Sequence, residues 1–235
     1  MTDRGMTGAI VAEALGTALL VACVVGSGIM AADLSAGNIG LTLLANSVAT
    51  AAVLVVLVTS LGPVSGAHFN PAVTFASAMR GDVGRRLAAF YVAAQVVGGL
   101  FGAALAHGMF EQAPWQQSVH PRGGTGQLLG EFVATFGLMF SIVLTARYRP
   151  YALPAVVGLY IGSAYWFTSS TSFANPAVTL ARAFSDTFTG IRLTDVPGFV
   201  VAQFVGAYCG AALGGWLAPP TRQVSLVEDL ESEVT

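Results

Sequence analysis

The tripeptide Asn-Pro-Ala occurs twice in this chain, at Asn70-Pro71-Ala72 and Asn175-Pro176-Ala177, and both copies sit in long apolar stretches. Asn is a strong helix N-cap and Pro is tolerated best at the first helical position, so each copy marks a helix start. The first turn of a helix has N–H groups with no intrahelical partner, and in lipid these must face protein or a water-filled cavity. Two such starts call for a pore or a binding site inside a membrane.

Composition agrees with that setting. Of the 235 residues, 54% are hydrophobic and only 9% charged, with mean hydropathy +0.71, which excludes an ordinary soluble domain. The basic residues are all Arg and the net charge is -2, so no basic patch argues for nucleic acid. Glu228, Asp229, Glu231 and Glu233 gather near the end, and residues 222–235 read as an acidic, solvated cytoplasmic tail. Cys23 and Cys209 lie in apolar runs and read as free buried thiols; neither a disulfide framework nor a metal site is indicated. No cofactor is implied. The apolar run from Thr7 to Ala32 exceeds the ~7–15 residues of a signal-peptide core and reads as a retained first span.

Stretches near the ~20 residues needed to cross a bilayer occur at Thr7 to Ala32, Gly37 to Leu61, Arg86 to His107, Gly126 to Ala146, Tyr151 to Thr168 and Val196 to Ala218. Asn70 to Met79 and Asn175 to Phe184 are too short to cross and read as half-helices. The order span, span, half-helix, span is followed twice, and the halves share sequence. Asn70-Pro71-Ala72-Val73-Thr74 matches Asn175-Pro176-Ala177-Val178-Thr179. Ala94-Gln95-Val96-Val97-Gly98 matches Ala202-Gln203-Phe204-Val205-Gly206, and Glu13 corresponds more loosely to Glu131. Three spans per repeat is an odd number, so the second repeat enters the membrane inverted. The expected fold is an all-α membrane protein: one channel domain of six transmembrane helices plus two re-entrant half-helices, with repeats at about 7–112 and 126–218. The two Asn residues then meet near the bilayer midplane. Arg4, Arg80, Arg85, Arg86, Arg147, Arg149 and Arg222 fall on one side and Arg122, Arg182 and Arg192 on the other, which places both termini in the cytoplasm. Small residues such as Gly98, Gly102, Gly206 and Gly210 suit close helix contacts.

The paired Asn-Pro-Ala half-helices, the block Ser65-Gly66-Ala67-His68-Phe69-Asn70-Pro71-Ala72-Val73-Thr74 and the Glu-bearing first helix of each half resemble the aquaporin and aquaglyceroporin family, from about Ala12 to Gly215. The resemblance implies a passive channel, a homotetramer of independently conducting protomers, and residence in the cell (inner) membrane. The Asn70 and Asn175 amides would then donate hydrogen bonds to a passing solute, while both half-helix dipoles set their positive ends against cations. As N-caps, the same Asn residues also have a purely structural account. His68 either lines the cytoplasmic half of the pore or braces its loop. Glu13 and Glu131, the carboxylates deep in the spans, are expected to hold the half-helix loops by accepting backbone N–H bonds.

The family's narrowest point normally carries an Arg three residues after the second Asn, and here that residue is Val178. Spacing places the other constriction positions at Thr50, Ser163 and Ser172, with Gly162 or Ala164 replacing Ser163 on a one-residue slip. None is aromatic or charged, so the expected filter passes solutes larger than water: polyols, urea-like solutes or metalloid hydroxides. The stretch Tyr160 to Arg192 resembles a bacterial branch associated with arsenic resistance, which implies arsenous acid or methylated arsenic acids as cargo. Arg182, four residues after Val178, either reaches the outer vestibule or pairs on the surface with Asp186. Tyr165, Trp166 and Phe167 read as an interfacial aromatic belt, although a ring reaching the constriction would narrow it. A strict water channel remains the alternative within the family. An ion-coupled transporter is the rival from another class, disfavoured by the lack of intramembrane Asp or Lys. No catalytic or metal-ligand cluster points to an enzyme.

Overall fold

A computed structural model describes residues 3–218; Arg222 and the acidic tail lie outside the described residues. Its helices are α1 (Asp3–Leu34), α2 (Ile39–Ser65), α3 (Pro71–Arg80), α4 (Arg85–Met109), α5 (Thr125–Tyr148), α6 (Leu153–Phe167), α7 (Pro176–Arg182) and α8 (Val196–Leu217). Five of them are long and apolar enough to cross a membrane. The expected fifth span is shorter than its apolar run. Pro150 and Pro154 restrict its start to a 3₁₀ turn and a late helix, leaving α6 with 15 residues, ~22 Å at ~1.5 Å per residue.

The half-helices begin where the motifs place them. Asn70 and Asn175 are N-caps in extended backbone, with Pro71 and Pro176 the first helical residues. Glycine Gly81 ends α3 in the left-handed conformation, whereas α7 stops at Arg182, short of the expected Phe184.

Packing repeats between the halves: α1 lies on α4 and α5 on α8, while α2 and α6 meet across the pseudo-twofold axis. Each half-helix also packs on the last long helix of the other half, α3 on α8 and α7 on α4. The glycine stripes explain how close the long pairs come. A Cβ on Gly98 or Gly102 would stand 2.2 Å from the carbonyl oxygen of Ala14 or Ala18, and one on Gly206 or Gly210 would stand 2.4 or 2.2 Å from that of Phe132 or Phe136. Backbone cannot yield as a side chain can. Gly102→Ala is therefore expected to destabilise the protein by about 1–3 kcal/mol, read as a lower unfolding temperature in detergent. Gly8→Ala, where a Cβ meets nothing within 4 Å, is the matched control.

Candidate functional site: a cavity through the half-helix junction

The two motifs lock each other. Asn70 Nδ2 donates to the Ala174 carbonyl at 2.7 Å and Asn175 Nδ2 donates to the Phe69 carbonyl at 2.8 Å. Each Asn Oδ1 meanwhile accepts from its own helix, from Ala72 N at 2.9 Å and from Ala177 N at 3.0 Å. An amide NH₂ has two hydrogens, so one per Asn remains for a solute after the cross-link. The capping account and the solute-binding account are thus compatible on the same side chain.

The loops that carry these Asn residues are held in an uncommon backbone shape. Ala67, Phe69, Ser172 and Ala174 all have positive φ without being glycine, at equivalent places in the two repeats. Each such residue costs of order 1–3 kcal/mol unless its surroundings fix it. Two buried carboxylates do so. Glu13 accepts from His68 N at 3.0 Å, Phe69 N at 2.7 Å, Ser65 Oγ at 2.6 Å and Gln95 Nε2 at 2.7 Å. Glu131 accepts from Phe173 N and Ala174 N, both at 2.8 Å, and from Gln203 Nε2 at 2.6 Å. The two Gln amides also donate to Thr74 Oγ1 and Thr179 Oγ1, at 2.9 and 2.8 Å, which ties each carboxylate to its half-helix. Gln95 and Gln203 are visible in the sequence as part of the internal repeat, but their partnership with the carboxylates needs the folded chain.

A cavity of about 440 Å³ passes this junction. Its walls include His68, Arg80 and Arg147 towards the expected cytoplasmic side, then Asn70 and Asn175, and beyond them Thr50, Ser172, Val178 and Arg182. His68 lines the cavity and also braces its loop, with Nδ1 3.0 Å from Thr74 Oγ1 and its ring edge-on to Tyr91.

Ser163 is the exception among the expected wall residues. It is exposed, its hydroxyl donates to the Tyr160 carbonyl of its own helix, and it does not line the cavity. The wall residues of α6 are Leu153, Val157, Ile161 and Tyr165, spaced by four and so on one face. Ser163 stands two residues from Tyr165, which at ~100° per residue turns it to the other side. Counting twelve residues back from Asn175 therefore overshoots, and neither one-residue alternative supplies the wall. From α6 it is Tyr165 that lines the cavity beside Thr50, 3% exposed, with its hydroxyl 3.1 Å from Thr50 Oγ1. The α6 face of the cavity thus carries an aromatic ring where a serine was expected. Trp166 and Phe167 are exposed, as interfacial aromatics would be.

The expected surface pair of Arg182 with Asp186 is also absent. Arg182 is 2% exposed, whereas Asp186 accepts from Val119 N at 3.1 Å and lies 3.6 Å from His120 Nε2. The helix ends at Arg182, so the i,i+4 geometry that would join them does not exist. A second cation, Arg122 of the loop between α4 and α5, donates to the carbonyls of Gly190 and Phe188 at 2.7 and 3.3 Å. Burial pulls the Arg122 guanidinium below its ordinary pKa, with the charges of Glu131 and Tyr165 opposing the shift.

The model of the family described as "Major intrinsic protein" matches residues 1–174. The chain belongs to the major intrinsic protein family. It is 56% identical over 224 residues to "Aquaglyceroporin AqpS" of Rhizobium meliloti (strain 1021), covering 95% of this chain and 96% of that one. It is 31% identical over 216 residues to "Aquaporin NIP2-1" of Oryza sativa subsp. japonica, covering 88% and 68%. The fold is similar to the X-ray structure of the aquaglyceroporin from Plasmodium falciparum, with a TM-score of 0.65 and 21% identity over 96% of this chain and 99% of that one. As a major intrinsic protein, the chain is a multi-pass membrane channel for water and small solutes and not an enzyme.

Proposed function

We propose that the channel passively conducts small uncharged solutes larger than water, either polyols or metalloid hydroxides such as arsenous acid, with water permeating as well. The observation that carries this reading is Val178. It lines the cavity three residues beyond the second motif Asn, where a short apolar side chain leaves room that an Arg would fill. Thr50 and Ser172 are the other small neighbours in that wall. Tyr165 narrows it from one side, but its hydroxyl is tied to Thr50, which holds the ring against the wall. The 56% identical relative is named an aquaglyceroporin, which agrees with a solute pore. The likeness of residues 160–192 to an arsenic-resistance branch favours arsenous acid and methylated arsenic acids among the candidate cargoes.

The two Asn amides and the converging half-helix starts supply the central step. A neutral solute exchanges part of its water shell for the free Asn N–H groups, while a cation meets donors and positive dipole ends. The arginine distribution supports cytoplasmic termini in the cell (inner) membrane, and the family supports a homotetramer. The test is stopped-flow permeability of proteoliposomes to water, glycerol and arsenous acid. Glycerol and arsenous acid are both expected to equilibrate at least about tenfold faster than in empty vesicles, with no ion gradient. Water flux with neither solute would overturn the reading in favour of a strict water channel. Solute flux that needs a Na⁺ or H⁺ gradient would favour a coupled transporter.

A further inference from the structure

The residue that replaces the usual filter cation leaves the outer constriction without charge at Val178, yet a cation faces the same cavity one helical turn later. Arg182 lines it with Val178, Tyr165 and Ser172. Four residues separate Arg182 from Val178, so both lie on one face of α7. The guanidinium is clamped on one side only. Its Cζ lies 3.3 Å from the Phe173 ring centroid, and Nε donates to the Thr189 carbonyl. That bond is its one hydrogen bond among the described residues, so its two Nη groups have no protein acceptor. Arg122, half-buried, shows what a purely structural arginine does here. It also lies over Phe173, at 5.0 Å, but its nitrogens are spent on carbonyls of Gly190, Phe188 and Ser170 and on Thr171 Oγ1. Next in sequence to the Phe173 platform, the buried hydroxyl of Ser172 has no hydrogen-bond partner among the described residues and lines the same cavity.

We propose that Arg182 is the outer selectivity cation of this channel, repelling cations at the mouth and, with the Ser172 hydroxyl, receiving an accepting oxygen of a small polar solute. The site takes neutral solutes rich in hydroxyl, oxo or carbonyl oxygen, because it offers donors and a positive charge. Phe173 sets the guanidinium back against the wall, so charge is retained while the space opposite Tyr165 stays open. This rests on Val178 lying at a wide constriction, and cation leak tests it separately from solute flux.

The experiment measures K⁺ and H⁺ leak and glycerol flux in proteoliposomes of the full chain and its variants. Arg182→Gln and Arg182→Met are expected to raise cation leak by about tenfold or more, which is ~1.4 kcal/mol of barrier, while Arg182→Lys keeps the leak low. Ser172→Ala is expected to slow glycerol several-fold without opening the leak. A wild-type leak in folded Gln and Met variants would overturn the proposal, as would a Lys variant that leaks as much as Gln. Should the buried Gln and Met changes prevent folding, Phe173→Leu removes only the platform beneath the charge. It is expected to raise leak several-fold, and an unchanged leak there would equally overturn the assignment. Absence of glycerol flux in the wild type with a low, Arg182-dependent leak would sink the wide-pore reading and leave the cation barrier standing.

Discussion

Val178→Arg is expected to cut glycerol and arsenous acid flux by tenfold or more while water permeability falls by no more than about threefold, the larger loss being ~1.4 kcal/mol of added barrier. The new side chain would project into the wall that holds Thr50, Ser172 and Tyr165, replacing a short apolar group with a long charged one. A molecule the size of glycerol needs the space that this side chain would occupy. Water needs less, and a guanidinium can hydrogen-bond it in passing. The substitution also adds a guanidinium to a region that already holds Arg182 and Arg122 over Phe173, so thermal unfolding must be measured alongside flux. Equal loss of water and glycerol in stably folded protein would place Val178 away from the narrowest point.

Glu131→Ala is expected to cost about 3–5 kcal/mol, enough to lose most of the folded protein. The carboxylate is fully buried and accepts from two consecutive backbone N–H groups and from Gln203. Each buried donor left without a partner costs ~1–3 kcal/mol, and lipid offers no replacement. The same carboxylate holds Ser172 and Ala174 in their left-handed conformations, so the cross-link from Asn70 to the Ala174 carbonyl loosens as well. Glu131→Gln keeps one acceptor and is expected to lose less. Unfolding temperature and recovery of detergent-solubilised protein measure both variants. An unchanged unfolding temperature in Glu131→Ala would refute the bracing role.

Much of this arrangement was legible because chain chemistry and the apolar solvent leave few choices. Asn before Pro favours a helix start, and an apolar chain in lipid must pair its backbone internally. The duplication of the motif with the parity of the spans then gives the inverted repeat. For Glu13 and Glu131 the bracing role was an implication of the family resemblance, and the donors that satisfy the two carboxylates became visible only in the fold. Ser163 was misplaced for a definable reason. Distance counted along the chain does not report helix phase, and two residues on α6 separate the cavity wall from the outer face. Arg182 was ambiguous in the same way, because its surface pairing required α7 to continue to Asp186, and the helix ends first.

The sequence by itself determined the class of solvent, the two helix starts, the inverted duplication and the presence of Val178 three residues after the second motif Asn. These are properties of single positions and of spacing, and the lack of water in the bilayer core makes them binding. Only the tertiary structure decided that Tyr165 and not Ser163 faces the pore, that the motif Asn residues clasp each other's loops, and that Arg182 turns inward over Phe173. Those outcomes depend on helix rotation and on contacts between residues a hundred positions apart, which are fixed only when the two halves close on each other.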